Sequence, residues 1–174
     1  NLYAAAARNR CIEASQGDYL MIQDIDDYSK PDRIERLLQV LQREKIDFVS
    51  SAMLIFDRSP DRITGIMDKK CEYPNRYHFL WGLPFSHPAT MFRRECIMAV
   101  SGYRAAGETK RVEDLDMFMR LYAMGYRGKN IHDPLYVYRL DDDNIRRRSF
   151  EGRKNEIKIR KKGYREMKMM PWAL

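Results

Sequence analysis

The sequence has little cysteine and little histidine, three of each in 174 residues. Cys11, Cys71 and Cys96 form no CxxC pair, and His78, His87 and His132 supply no local ligand pair, so a zinc site is not expected. An odd, dispersed set of thiols reads as buried or free cysteines of a reducing compartment. No apolar run approaches the roughly 20 residues that span a bilayer. The opening from Asn1 to Arg8 has neither an initiator Met nor a long apolar stretch, so no secretory leader is expected. Internal repeats and low-complexity segments are also absent.

What is present has the balance of a globular domain: 44% hydrophobic, 33% charged and 11% aromatic residues. A chain of this length can bury a real core, and one domain is the default. The net charge of +7 is concentrated at one end, because residues 144–174 hold eleven Lys/Arg against three acids. The remainder is close to neutral. Such an end is either a solvated helix face or a surface that meets anionic lipid, acidic substrate or nucleic acid. Nucleic acid is not expected as a partner, since no aromatic interleaving and no known RNA- or DNA-binding pattern accompanies the charges.

Along the chain, residues 4–14 have high helix propensity, and Gly17 and Asp18 end that helix before the apolar run 19–22. This strand leads directly into Asp24, Asp26 and Asp27. Pro31 then starts a helix over 32–45, with Ile34, Leu37, Leu38 and Leu41 at helical spacing. A strand follows at 48–56. Residues 62–85 are less legible: a short strand, a loop, and a helical turn near 77–81. Further on come a strand at 89–92, a short helix at 94–100, an irregular loop, and a helix over 112–124 that Gly125 stops. Two strands, 126–131 and 135–140, are expected on either side of Asp133 and Pro134, and a basic helix over 146–162 closes the pattern. Alternating strands and helices predict an α/β layer fold with a largely parallel sheet in the first half, its ligands beyond the carboxyl ends of the strands.

Three carboxylates within four residues repel one another and invite a compensating cation. Oxygen ligands suit Mg²⁺ or Mn²⁺, and Mg²⁺ is held by one or two carboxylates together with substrate phosphates. A turn with an aspartate capping the next helix explains the same residues equally well. Glu113 and Asp114 open a helix, where acids are stabilised by free amides. Asp114 is therefore a helix cap or, kept ionised there, a general base toward a hydroxyl.

The order of these motifs resembles family 2 glycosyltransferases of the A-type (GT-A) fold. Asn1-Leu2-Tyr3-Ala4-Ala5-Ala6-Ala7-Arg8-Asn9, Gly17-Asp18-Tyr19-Leu20 and Asp24-Ile25-Asp26-Asp27 are similar to that family's helix, strand and DxD metal loop. Pro84-Phe85-Ser86-His87-Pro88-Ala89-Thr90 resembles its acceptor-side strand, Glu113-Asp114-Leu115-Asp116 its ED helix, and Pro134-Leu135-Tyr136-Val137-Tyr138-Arg139 its closing strand. Tyr3 and Cys11 depart from the glycines common in the pattern, and Asp141 from a histidine.

The resemblance implies a Rossmann-like mixed sheet flanked by helices and truncated at its N-terminal side, where the family carries strands that grip the base. Residues 1–140 would be a partial GT-A catalytic domain and 141–174 a basic helical extension. It implies inverting transfer of a sugar from a nucleoside diphosphate, a UDP-sugar first of all, to a saccharide or lipid-linked acceptor in polysaccharide or glycolipid synthesis. Asp26 and Asp24 would bind Mg²⁺ or Mn²⁺, Arg8, Asp24 and Asp27 the donor, and His87 and Trp81 the acceptor. Asp114, with Glu113, would be catalytic. The protein would work in the cytoplasm, with peripheral contact between its basic end and an anionic membrane, and this fragment alone would be inactive. The competing expectations are a non-catalytic remnant of such a domain and a basic nucleic-acid-binding module.

Overall fold

The computed structural model describes residues 4–140 and 150–169. Asn1, Leu2 and Tyr3 of the opening motif, Asp141 and the expected helix start at 146–149 lie outside the described residues. The elements are α1 (Ala4–Ala14), β1 (Tyr19–Met21), β2 (Tyr28–Ser29), α2 (Arg33–Arg43), β3 (Phe48–Phe56) and β4 (Ile63–Met67). After them come β5 (Thr90–Arg93), α3 (Arg94–Ala99), α4 (Glu113–Ala123), β6 (Gly128–Arg139) and α5 (Phe150–Glu166). Short 3-10 turns occupy Arg76–Leu80, His87–Ala89 and Gly107–Thr109.

One mixed sheet has the order β1-β5-β3-β6-β2, with β4 paired to the far half of β3. The expectation of a largely parallel sheet is corrected here, because β3 with β6 is the one parallel pair among the described strands. The physical reason is an inserted strand. The α2 crossover does return the chain in the direction of β1, as a strand-helix-strand unit should. The short β5 then slots antiparallel between β1 and β3, so two strands of common direction are not neighbours.

The two strands expected at 126–131 and 135–140 are one continuous strand, β6, from Gly128 to Arg139. Its register against β3 shifts on either side of Ala52, which faces Pro134. A bulge takes up the extra residues and accommodates a proline that has no amide to donate to the ladder.

Strand β3 is central and buried nearly throughout, and its period of two sorts residues to two cores. Phe48 faces a core of Phe79, Phe85, Phe92, Phe118 and Tyr122, with ring centroids 4.9 Å from Phe85 and 5.3 Å from Phe118. Val49 faces the opposite core, where Leu37 and Leu41 of α2 meet Met91 and Leu135. Helix α5 joins the first core through Ile159 and Tyr164, and the turn after it through Met167 and Met169. Gly128 crosses Phe48 so closely that a Cβ there would lie 2.0 Å from the ring. Only glycine allows β6 to approach at that point.

Candidate active site

The loop after β1 carries the aspartates, and a buried arginine holds it in place. Arg33 is 0% exposed. Its Nη2 donates to the carbonyls of Ile22 and Pro88, both at 2.9 Å, and its Nη1 to Gln23 Oε1 at 3.0 Å and Ser29 Oγ at 2.9 Å. The guanidinium stacks over Tyr136, 4.5 Å from the ring centroid. Burial pushes its pKa down to about 10, although Tyr136 and Asp27 pull the other way. The Tyr136 hydroxyl accepts from the Asp24 amide at 3.1 Å, which ties the loop to β6.

The three aspartates have three different environments. Asp27 is buried, and its Oδ1 accepts from the Arg139 amide at 2.7 Å while Oδ2 has no hydrogen-bond partner. Burial raises its pKa, with the Arg139 amide and the Tyr136 hydroxyl opposing. It ties the loop to β6 and does not line the cleft described below. Asp24 is half-buried and bonds Arg8 Nη2 at 3.1 Å. Asp26 is exposed beside them.

Arg8, on the inner side of α1, bridges the two halves of the site. Its Nη1 lies 3.3 Å from Glu113 Oε1, so one guanidinium joins the aspartate loop to the first turn of α4. Burial pulls the Arg8 pKa down, but Tyr103, Asp24 and Glu113 outweigh it and hold it above its usual value. Beside this bridge is a cleft of about 310 Å³ lined by Arg8, Asp24, Glu113 and Asp114 together with His87 and Lys69. Six residues from five separate parts of the chain thus face one space.

Asp114 is the second residue of α4, and its Oδ1 accepts from the free Leu115 amide of the first turn at 2.8 Å. Burial raises its pKa to about 6, Glu113 adds to the rise, and the Leu115 amide and Arg8 oppose it. Capping and catalysis are therefore not exclusive: one oxygen is bound to the helix terminus, and the carboxyl titrates near the range that suits a general base. His87 is buried with its Nε2 2.7 Å from the Tyr103 hydroxyl, and burial followed by the Arg8 charge drives its pKa to about 3. It is a neutral imidazole. Lys69, lowered by burial, donates to the Leu83 carbonyl at 3.0 Å and feels the charge of Asp114.

Of the residues singled out in the sequence, Arg8, Asp24, Glu113, Asp114 and His87 are brought to the cleft. Asp26 is exposed on the loop and Trp81 is 91% exposed, and neither lines the cleft. Several residues that shape the site are not among the site residues expected from the sequence. Asn9 clamps the Tyr103 backbone, donating to its carbonyl at 2.7 Å and accepting from its amide at 2.8 Å. Gly102, with φ of +64°, passes so close that a Cβ would be 2.6 Å from Asn9 Oδ1. From the other side, Arg120 donates to the Gly102 carbonyl at 2.8 Å while paired with buried Asp116 at 2.7 Å. Neither Arg33 nor Lys69 belongs to a motif in the sequence.

Among the described residues no group of three or more His, Cys, Asp or Glu is placed to hold a metal ion. Asp24 and Asp26 nevertheless fit an ion that takes the rest of its ligands from substrate phosphates, as Mg²⁺ does.

The curled mixed sheet with helices on its faces, and a cleft at the strand ends, define the A-type glycosyltransferase fold. Solved structures of 16% and 18% identity share it. They are S. aureus TarS 1-349, with a TM-score of 0.65 over 93% of this chain and 44% of that one, and the mannosyltransferase PcManGT from Pyrobaculum calidifontis in complex with GDP-Man and Mn²⁺, with 0.64 over 98% and 46%. The glycosyl transferase family 2 model matches residues 1–100, and the chain belongs to that family. It is 35% identical over 151 residues to the putative glycosyltransferase EpsE of Bacillus subtilis, covering 86% of this chain and 53% of that protein. It is 29% identical over 153 residues to a UDP-Gal:alpha-D-GlcNAc-diphosphoundecaprenol beta-1,3-galactosyltransferase of Escherichia coli, covering 85% and 53%. The chain spans about half the length of these curated relatives.

Proposed function

We propose that the protein to which this chain belongs is an inverting glycosyltransferase. It moves a sugar from a nucleoside diphosphate, a UDP-sugar, to a hydroxyl of a saccharide or lipid-linked acceptor in cell-surface polysaccharide synthesis. The observation that carries this reading is the Arg8 bridge, which puts a fixed cation between the aspartate loop and the carboxylates of α4. The names of the relatives support the donor and the acceptor: one uses UDP-Gal and a diphosphoundecaprenol-linked sugar, and an amylovoran biosynthesis enzyme from Erwinia amylovora is 23% identical over 164 residues. Three free cysteines support a cytoplasmic setting.

In this mechanism the acceptor oxygen attacks the anomeric carbon from the face opposite the diphosphate. The carbon–oxygen bond to the diphosphate breaks with its electron pair leaving on phosphate, and configuration inverts. The Asp114 oxygen not bonded to the Leu115 amide takes the acceptor proton. Arg8 draws the phosphates toward the loop, and neutral His87 offers a hydrogen bond without adding charge beside the base. Asp24 and Asp26 would hold a divalent cation, which would supply further positive charge to the leaving diphosphate.

The test is Asp26→Asn in the full-length protein. Asp26 is exposed, so the fold should be unchanged while Mn²⁺ affinity, read by calorimetry in the presence of UDP, falls and metal-dependent turnover is lost. Retained Mn²⁺-dependent activity in this variant would refute the assignment of the loop. Turnover indifferent to EDTA in the parent protein would refute metal assistance.

A further inference from the structure

Helix α5 and the turn Arg76–Leu80 form one packed unit. Arg160 and Tyr164 both donate to the Phe79 carbonyl, Tyr164 at 3.2 Å, and Arg76 donates to the Met167 carbonyl at 2.9 Å. On its inner side α5 buries Asn155, Ile159 and Gly163, a four-residue spacing that Met167 in the following turn continues and that lays one stripe against α4. The opposite side is in solvent and carries Arg153, Lys158, Lys161, Lys162, Arg165 and Lys168. Glu156 is paired with Arg160 at 2.8 Å, and Glu166 at the end of the helix is exposed.

Large apolar side chains stand exposed on the same unit. Trp81, directly after the turn, is 91% exposed, and Ile157 of α5 is 57% exposed. Tyr77 is partly exposed beneath the Arg76 guanidinium, 5.3 Å from the ring centroid. Cations with a tryptophan beside them are the combination that rests at a bilayer interface, where the indole sits at headgroup level and the charges meet anionic lipid. The apolar stripe of α5 is already used against α4, so the helix can lie on a membrane but has no face left to insert.

We propose that this unit docks the protein on an anionic bilayer surface, with the α5 cations toward the headgroups and Trp81 seated at the interface. Trp81 is two residues from Leu83, which lines the cleft, so docking brings the cleft mouth close to the lipid. That last consequence rests on the transferase reading; binding itself does not, and it is measured without donor or acceptor.

The sequence holds two tryptophans, so the Trp172→Phe chain keeps Trp81 as its single fluorophore. It is sedimented with vesicles of phosphatidylcholine alone and of phosphatidylcholine with phosphatidylglycerol, over a salt series. The expected result is binding to the phosphatidylglycerol vesicles only, weakened by salt, with a blue shift of Trp81 emission. Lys158→Gln and Lys161→Gln should each weaken binding about fivefold, the equivalent of about 1 kcal/mol per charge. Trp81→Ala should weaken it while leaving the salt dependence unchanged. Equal binding to both vesicles, no binding at low salt, or binding with unshifted emission would each overturn the proposal. Retention on DNA in place of phosphatidylglycerol would overturn it too and reassign the face to nucleic acid.

Discussion

Replacing Asp114 with asparagine should make the protein more stable and, if Asp114 is the base, inactive. The carboxyl is carried from its ordinary range up to about 6 by burial beside Glu113. At pH values between those limits the folded state holds a proton that the unfolded chain has already released. Stability therefore falls as pH rises through this window, and above about pH 6 the penalty is complete. A shift of about two units corresponds to about 3 kcal/mol at most, and the opening of the cleft to water reduces it to about 1–2 kcal/mol. Asparagine keeps an oxygen to accept the Leu115 amide, so the helix terminus stays capped at little cost. Urea unfolding of parent and Asp114→Asn near pH 4 and near pH 8 measures this. The variant should match the parent at the lower pH and exceed it by about 1–2 kcal/mol at the higher. In the full-length enzyme kcat should collapse while donor affinity is kept, and the acidic limb of the parent's kcat/KM profile should fall near pH 6. A variant that is less stable than the parent at pH 8 with normal turnover would refute the reasoning and leave Asp114 a plain cap.

Arg33→Met leaves the Ile22 and Pro88 carbonyls, Gln23 and Ser29 without their donor, which should cost about 3–5 kcal/mol. Arg33→Lys, with fewer donors and no plane to stack on Tyr136, should recover only part of that; urea midpoints equal to the parent for either variant would contradict the anchoring role. Gly128→Ala drives a methyl into the Phe48 ring, which its aromatic neighbours hold, and should lower stability by about 3 kcal/mol. An unchanged thermal midpoint would show that Phe48 can move aside.

Much of this architecture is written in local patterns. The apolar and β-branched run in residues 48–56 marks a buried strand, the spacing of Leu37 and Leu41 marks the inner face of α2, and Gly125 stops α4, its φ of +96° being one that glycine readily adopts. Asp24 at a strand end and Glu113-Asp114 at a helix start were legible for the same reason, since each motif is defined by neighbours in sequence. Strand neighbours were not legible. Pattern alone gives direction, and the insertion of β5 between β1 and β3 depends on contacts across more than 40 residues.

The sequence by itself determined the residue types at each end of the site: carboxylates after β1, carboxylates at the start of α4, and an arginine on the first helix. Only the tertiary structure decided what each one is for. Asp24, Asp26 and Asp27 are near-identical letters, yet one pairs with Arg8, one stays in solvent, and one is tied to the β6 backbone. Arg33 looks like a surface charge at the start of a helix, yet it is the buried anchor of the metal-loop candidate, because four acceptors from separate segments converge on it. Trp81, a sugar-stacking candidate by type, is turned to solvent beside a basic helix. Burial and long-range hydrogen bonds set these roles, and they depend on chain segments that meet only after folding.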